Sequence, residues 1–299
     1  MKRLPYFLLL LVCCLTSASL RADPTAFTVE VTGQGQPMLL IPGLSSDGSV
    51  WDETVAHYRD RYECHVLTLA GFAGQAPLAQ PDPFLPTVRD EIIAYIQEQH
   101  LEKPIIVGHS LGGFLALSLG IEAPDLVGPL VTVDGLPFLT AIQMPGATAE
   151  SAKPLAENMR KVDTNQMPEQ VRQQMALYLR TMISDSARIR EATEWGVQSD
   201  PTTIGQAMYE LYTTDLRADL PKIKVPTLAM GAWIGYKDYG ATRETVLPAY
   251  QAQFQNLPHV QLELFDTAKH FIMWDDPEGF FRVLDQFLTP ARGGAVVNK

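Results

Sequence analysis

Short aliphatic runs alternate with stretches of helical spacing over most of this chain, and one long segment breaks the alternation. Strand patterns fall at 27–32, 38–41, 65–69, 105–107, 130–133, 225–230 and 260–265. The first alternates apolar with polar residues, and most of the others are unbroken buried-type runs. Between them, helical spacing starts at Ser49-Val50-Trp51 and continues to about Tyr58. It returns over 87–100 through Val88, Ile92, Ile93 and Ile96, from Leu111 through Phe114, Leu115 and Leu117, after Thr242, and over 277–288. Strands that alternate with helices predict an α/β fold, a mostly parallel twisted sheet with helices on both faces. From Gly135 to about Leu220 the pattern is different. No strand is predicted there, only helix-like segments punctuated by Pro145, Pro154, Pro168 and Pro201, with Met144, Met159, Met167, Met175, Met182 and Met208 among them. A helical insertion therefore splits the α/β core in two.

The N-terminus adds a targeting expectation. Met1-Lys2-Arg3 is basic, 4–15 is almost wholly apolar, and small residues follow at Ser17, Ala18, Ser19 and Ala22. That order predicts a secretory signal cut near Ala18 or Ala22, the run being short for a membrane span; a retained N-terminal anchor is the alternative. Val12 before Cys13 speaks against lipid attachment. The expected organisation is a signal peptide over 1–22, a core in two parts over 23–134 and 221–290, a helical insertion over 135–220 and a tail over 291–299. Once 1–22 is removed, Cys64 is the only cysteine, so no internal disulfide is available and the core must hold the fold. The net charge of −11 becomes −14 without the leader, 20 basic residues against 34 acidic. Such a balance disfavours nucleic acid and anionic membrane surfaces as partners. No basic patch, zinc-ligand spacing, phosphate-binding glycine loop or repeat is present, and no cofactor or metal is expected.

The chemistry concentrates at Gly108-His109-Ser110-Leu111-Gly112, a G-x-S-x-G pattern where the 105–107 strand gives way to the helix at Leu111. A turn that sharp forces Ser110 into a strained backbone, and glycines on both sides avoid collisions. By chance the bare pattern arises on the order of once in ten chains of this length. Its strand-turn-helix setting and the further Gly113 lift it above that rate.

With these residues in view the chain resembles the α/β-hydrolase superfamily over essentially all of its length beyond the leader. The features match in order: an oxyanion turn at Ile41-Pro42-Gly43-Leu44, a nucleophile elbow at Ser110, a helical lid after the strand ending at Asp134, and a late histidine in Ala268-Lys269-His270-Phe271. One departure is Pro42, where the family usually carries histidine; this turn contributes backbone rather than a side chain. The resemblance implies an α/β-hydrolase fold with an inserted lid. It also implies Ser110 as nucleophile, His270 as general base, and the N–H groups of Leu44 and Leu111 as the oxyanion hole. A carboxylate must orient His270. Family order, serine then acid then histidine, favours Asp238 in Gly235-Tyr236-Lys237-Asp238, although 231–234 set it further from the strand than is usual. Asp134 is the rival, at a strand end that some members use. The methionines and the aromatic residues of the insertion could line an adaptable apolar pocket, or simply pack the insertion itself.

The expected function is that of an exported serine hydrolase, esterase-like and cofactor-free. It would act on a small apolar ester, lactone or thioester, with no nucleic-acid partner and no stable membrane insertion. An amide, peptide or carbon–carbon hydrolase, or a perhydrolase, could use the same triad. A non-catalytic ligand receptor on the same fold would have no need of the serine and histidine.

Overall fold

The computed structural model describes residues 26–161 and 167–289; the leader expected over 1–22 and the tail over 291–299 lie outside the described residues. The chain runs β1 (Phe27–Gly33), β2 (Gln36–Ile41), a 3-10 turn (Gly48–Trp51) into α1 (Asp52–Tyr58), β3 (Tyr62–Leu69), α2 (Leu85–Glu98), β4 (Ile105–His109), α3 (Leu111–Glu122) and β5 (Leu130–Val133). Among the described residues there follow α4 (Leu139–Gln143), α5 (Ala149–Arg160), α6 (Pro168–Leu179), α7 (Ser186–Gln198) and α8 (Pro201–Thr213). The sheet then resumes with β6 (Thr227–Ala232), α9 (Arg243–Phe254), β7 (Val260–Phe265), α10 (Ile272–Asp275) and α11 (Pro277–Leu288).

The seven strands lie in the order β1-β3-β2-β4-β5-β6-β7. Among the described residues β1 alone pairs antiparallel, with β3, and all other neighbours are parallel. Alternate side chains go to opposite faces. Leu39, Ile41 and Ile106 face α2, α3 and α9 through Val88, Ile92, Phe114, Leu115 and Phe254. Met38, Leu40, Ile105, Val107, Val131 and Val133 belong to the apolar layer that Trp51, Tyr58, Phe280 and Leu284 close from α1 and α11. Burial on both faces explains why the central strands read as unbroken apolar runs. Each such side chain contributes roughly 1.5–3 kcal/mol of transfer free energy. Helix α3 is apolar all round because it is buried on nearly every side.

The connection from β2 turns to β3 on one side, and β4 returns on the other, so the strand order reverses between β2 and β4. In open α/β sheets, ligands bind beyond the carboxyl ends of the strands at such a reversal. The registers align those ends: Ile41 faces Gly108, His109 faces Val133, and Val133 faces Met230.

Helices α4–α8 are tied to the core by contacts that no local pattern announces. Buried Glu210 of α8 accepts from the N–H groups of Phe84 (2.7 Å) and Leu85 (2.6 Å), capping the start of α2. Several methionines prove to be packing: Met175 and Met182 lie against one apolar layer and Met208 against the other. Met167 is exposed.

Cys64 is a free, buried thiol whose pKa burial pushes up to about 11. Protein without residues 1–22 is therefore expected to melt at the same temperature with and without dithiothreitol, and Cys64 should react with Ellman's reagent only on unfolding. A marked fall in Tm on reduction would show that a disulfide contributes to the fold.

Candidate active site

At the end of β4 the chain reverses over one residue. Ser110 has φ 54° and ψ −114°, a backbone that L-residues rarely adopt, and α3 begins at the next position. Its N–H donates to Val133 O across the sheet (2.9 Å), and its own C=O accepts from Gly113 and Phe114. A Cβ at position 108 would come within 2.0 Å of Gly112 O, so only glycine lets the strand and helix meet this closely. The tight packing lifts Ser110 beyond the strand ends, half-buried, while His109 below it is buried.

The turn after β2 passes directly alongside. A Cβ on Gly43 would come 3.2 Å from Ser110 Cβ. Neither Leu44 N–H nor Leu111 N–H donates to an acceptor among the described residues. Both expected oxyanion donors thus sit on backbone that borders the serine.

His270 arrives on the loop after β7. Its Nδ1–H donates to Asp134 Oδ2 at 2.6 Å, which leaves Nε2 with the free lone pair that a general base requires. The loop is held from beneath by His109, whose Nε2–H donates to His270 O (3.1 Å) and whose ring tilts against those of His270 (4.6 Å) and Phe271 (4.4 Å). Burial, and then the proximity of His270, hold His109 well below the usual imidazole range. It is therefore a neutral strut, with Nδ1 unpartnered. The insertion grips the same loop: Lys269 Nζ donates to Arg180 O (2.7 Å) and Ile183 O (3.2 Å), and Phe271 N–H to Met182 O (3.2 Å). Ser110 Oγ makes no hydrogen bond among the described residues. Of the three groups expected to work together, only His270 and Asp134 are hydrogen-bonded here; serine–imidazole contacts often tighten only with substrate in place.

Asp134, and not Asp238 as first expected, is the carboxylate that the structure brings to His270. Asp238 sits exposed on a 3-10 turn (Ile234–Tyr239) and takes no part in the His270 hydrogen bond. Asp134, the rival, ends β5 next to the elbow strand. Its N–H donates to Met230 O, and it holds a positive φ of 51°. That backbone swings the carboxylate toward the histidine loop. The physical reason for the shift lies in the turn after β6. There Trp233 Nε1–H donates to Asp266 (2.8 Å), Arg243 closes on the same carboxylate (2.7 Å), and the Ala232 N–H donates to Asp134 Oδ1 (3.0 Å). The end of β6 thus gives a backbone donor to Asp134 on the neighbouring strand, and Asp238 makes no side-chain hydrogen bond among the described residues.

Two of the other histidines have structural partners. His57 meets Asp285 and stacks on Phe281, while His65 lies between Tyr95 and Glu63. Sequence reading missed the supports around the pair, Tyr250, Ala232 N–H and Lys269. No local signal marks any of them.

The sequence model of the alpha/beta hydrolase family matches residues 38–283. The chain belongs to that family. A pimeloyl-[acyl-carrier protein] methyl ester esterase of Aliivibrio salmonicida (strain LFI1238) is 25% identical over 269 residues, 89% of this chain and 97% of that protein. The corresponding protein of Aeromonas hydrophila is 28% identical over 275 residues, 87% and 98% of the two chains. Among solved structures, the esterase EaEST from Exiguobacterium antarcticum superposes with a TM-score of 0.71 at 21% identity, over 87% of this chain and 94% of its own. The enol-lactonase from Burkholderia xenovorans LB400 does so with 0.70 at 15%, over 88% and 96%. At these identities the structures speak to the fold alone. As an alpha/beta hydrolase with such relatives, the chain is an esterase-like hydrolase.

Proposed function

We propose that this alpha/beta hydrolase is an exported serine esterase that cleaves a carboxylic ester, lactone or thioester with an apolar acyl or alkyl group through an acyl-enzyme. The observation that carries the reading is the 2.6 Å bond from His270 Nδ1–H to Asp134, made beside an elbow serine in a strained backbone. The orientation it sets leaves His270 Nε2 to take a proton.

In the reaction, Ser110 Oγ bonds to the ester carbonyl carbon as its proton passes to His270 Nε2. The carbonyl π pair moves onto oxygen, where the Leu44 and Leu111 N–H groups receive it. Collapse breaks the carbon–oxygen bond of the ester, and the leaving alkoxide takes the proton from Nε2. Water then repeats the sequence on the acyl-serine and releases the acid. Asp134, bonded to Nδ1–H, balances the imidazolium. The relatives named as methyl ester esterases support an ester with an acyl chain as the substrate class. Export rests on the basic, then apolar, then small-residue order of the leader.

The test is to treat the purified protein with a fluorophosphonate and assay p-nitrophenyl esters of graded acyl length. One serine should label stoichiometrically, and ester turnover should be lost in parallel. Stable protein that neither labels nor hydrolyses any of the series would remove the esterase reading. Sequencing the N-terminus of protein recovered from outside the cytoplasm should find it beyond Ala18 or Ala22; an intact Met1 on exclusively intracellular protein would remove export.

A further inference from the structure

Asp134 is not held by His270 alone. Its Oδ1 accepts from Ala232 N–H (3.0 Å) and, through a very short contact, from the Tyr250 hydroxyl on α9. Tyr250 reaches it because position 231 is glycine: a Cβ there would come 2.3 Å from the Tyr250 ring, and no side chain could share the space. The ring is buried, 4% exposed, in the apolar layer that faces α2 and α3. Three donors from three separate elements thus converge on one carboxylate, which stands on a left-handed backbone at the end of β5.

From this arrangement we propose that Tyr250 is a positioning residue for the hydrolytic reaction: it locks the Asp134 carboxylate so that Oδ2 faces His270, and it draws part of the charge of that carboxylate away from the imidazole. The proposal rests on the serine-hydrolase reading above. A phenol can play this part only if it never ionises in the working range. Burial, and then the neighbouring charge of Asp134, keep Tyr250 well above its ordinary value, so it acts solely as donor. Hydrogen bonds to a carboxylate stabilise its charged form and lower its basicity. Two donors on Oδ1 leave Oδ2 a firm but moderated partner for His270, and they block rotation of the carboxylate about its own axis. The other polar groups facing the pair do not replace this role. His109 is neutral and its side chain bonds only the His270 carbonyl, Tyr236 is exposed and makes no hydrogen bond to Asp134, and Lys269 is directed to the carbonyls of Arg180 and Ile183.

The test is Tyr250→Phe in the full protein, which removes one oxygen and keeps the ring. Expected are a kcat about three- to tenfold lower, little change in KM, and an acid limb of the kcat/KM profile moved upward by roughly half a pH unit, since a more basic carboxylate retains the imidazolium to higher pH. The His270 Nδ1–H proton resonance, seen by NMR, should shift with it whether or not the variant turns over. In an Asp134→Asn background the same change should cost nothing further, because both act through one group. 3-Fluorotyrosine at position 250, a stronger donor of nearly the same shape, should move the acid limb the opposite way and so covers the case of a poorly folding Tyr250→Phe. A limb unmoved in either protein or moved downward in Tyr250→Phe, an unshifted resonance, or losses that multiply in the double variant would each overturn the proposal and reduce Tyr250 to filling. Those outcomes, with Ser110→Ala and Asp134→Asn still crippled, leave the triad reading standing; undiminished turnover in Ser110→Ala would instead remove that reading itself.

Discussion

Ser110→Ala is expected to lower kcat on a p-nitrophenyl ester at least about a thousandfold, roughly 4 kcal/mol of barrier, with KM and Tm near those of the parent. In the proposed mechanism the activity should fall because the alcohol that would carry the acyl group is gone, while the Leu44 and Leu111 N–H groups would still bind and polarise the carbonyl. What survives is the modest catalysis that positioning and the oxyanion donors give on their own. Stability should hold because Ser110 Oγ has no hydrogen-bond partner among the described residues to lose, and because alanine meets the same cost as serine at φ 54°. The variant should also refuse a fluorophosphonate. If it labels as the parent does, the nucleophile lies elsewhere and the elbow is merely a tight turn.

The contrast between Ser110 and the acid shows what a sequence of this kind makes legible. The elbow is written locally: a β-branched run, a glycine, a serine and an apolar helix within sixteen residues, each demanded by the geometry of one turn. The sheet was equally readable, because strands buried on both faces carry unbroken apolar runs. Strand β7 and helix α11 fall where the pattern placed them. His270 could be reached by combining the elbow with its position on a late loop. Which carboxylate meets His270 could not be decided in that way. The bond between Asp134 and His270 spans 136 positions, and the one between Tyr250 and Asp134 spans 116. Whether a strand-terminal aspartate turns toward the site depends on a positive φ that most residues avoid, and on donors arriving from β6 and α9. Chain order alone pointed to Asp238. The counter-signal was present but faint: no carboxylate occurs in Gly231-Ala232-Trp233, where the turn after β6 begins. Glu210 makes the same point for the insertion, since its capping of α2 joins residues 125 and 126 positions apart.

Asp134→Asn should be the crippled acid variant, with kcat down on the order of a hundred- to ten-thousandfold, and Asp238→Asn should turn over within about twofold of the parent. The reason lies in counting donors. His270 Nδ1–H, Ala232 N–H and Tyr250 O–H all point at the two oxygens of Asp134. An asparagine offers one oxygen and one NH2, so at least one donor must face another donor. If the amide oxygen stays with Ala232 and Tyr250, its NH2 faces His270, and Nδ1 must give up its proton to accept. The proton then resides on Nε2, the tautomer that cannot take one from Ser110. If the amide flips, the buried Ala232 N–H and Tyr250 O–H lose their acceptor, at about 1–3 kcal/mol for each unsatisfied group, and the loop that carries His270 loosens. Either way the imidazolium formed during turnover has no counter-charge. Asp238, exposed on its 3-10 turn, touches none of these groups, so its replacement changes only a solvated charge. The measurement is kcat for both variants on one ester, with Tm recorded beside it. A disabled Asp238→Asn next to a nearly normal Asp134→Asn would return the acid to the turn after β6, and the Asp134–His270 bond would then be structural rather than catalytic.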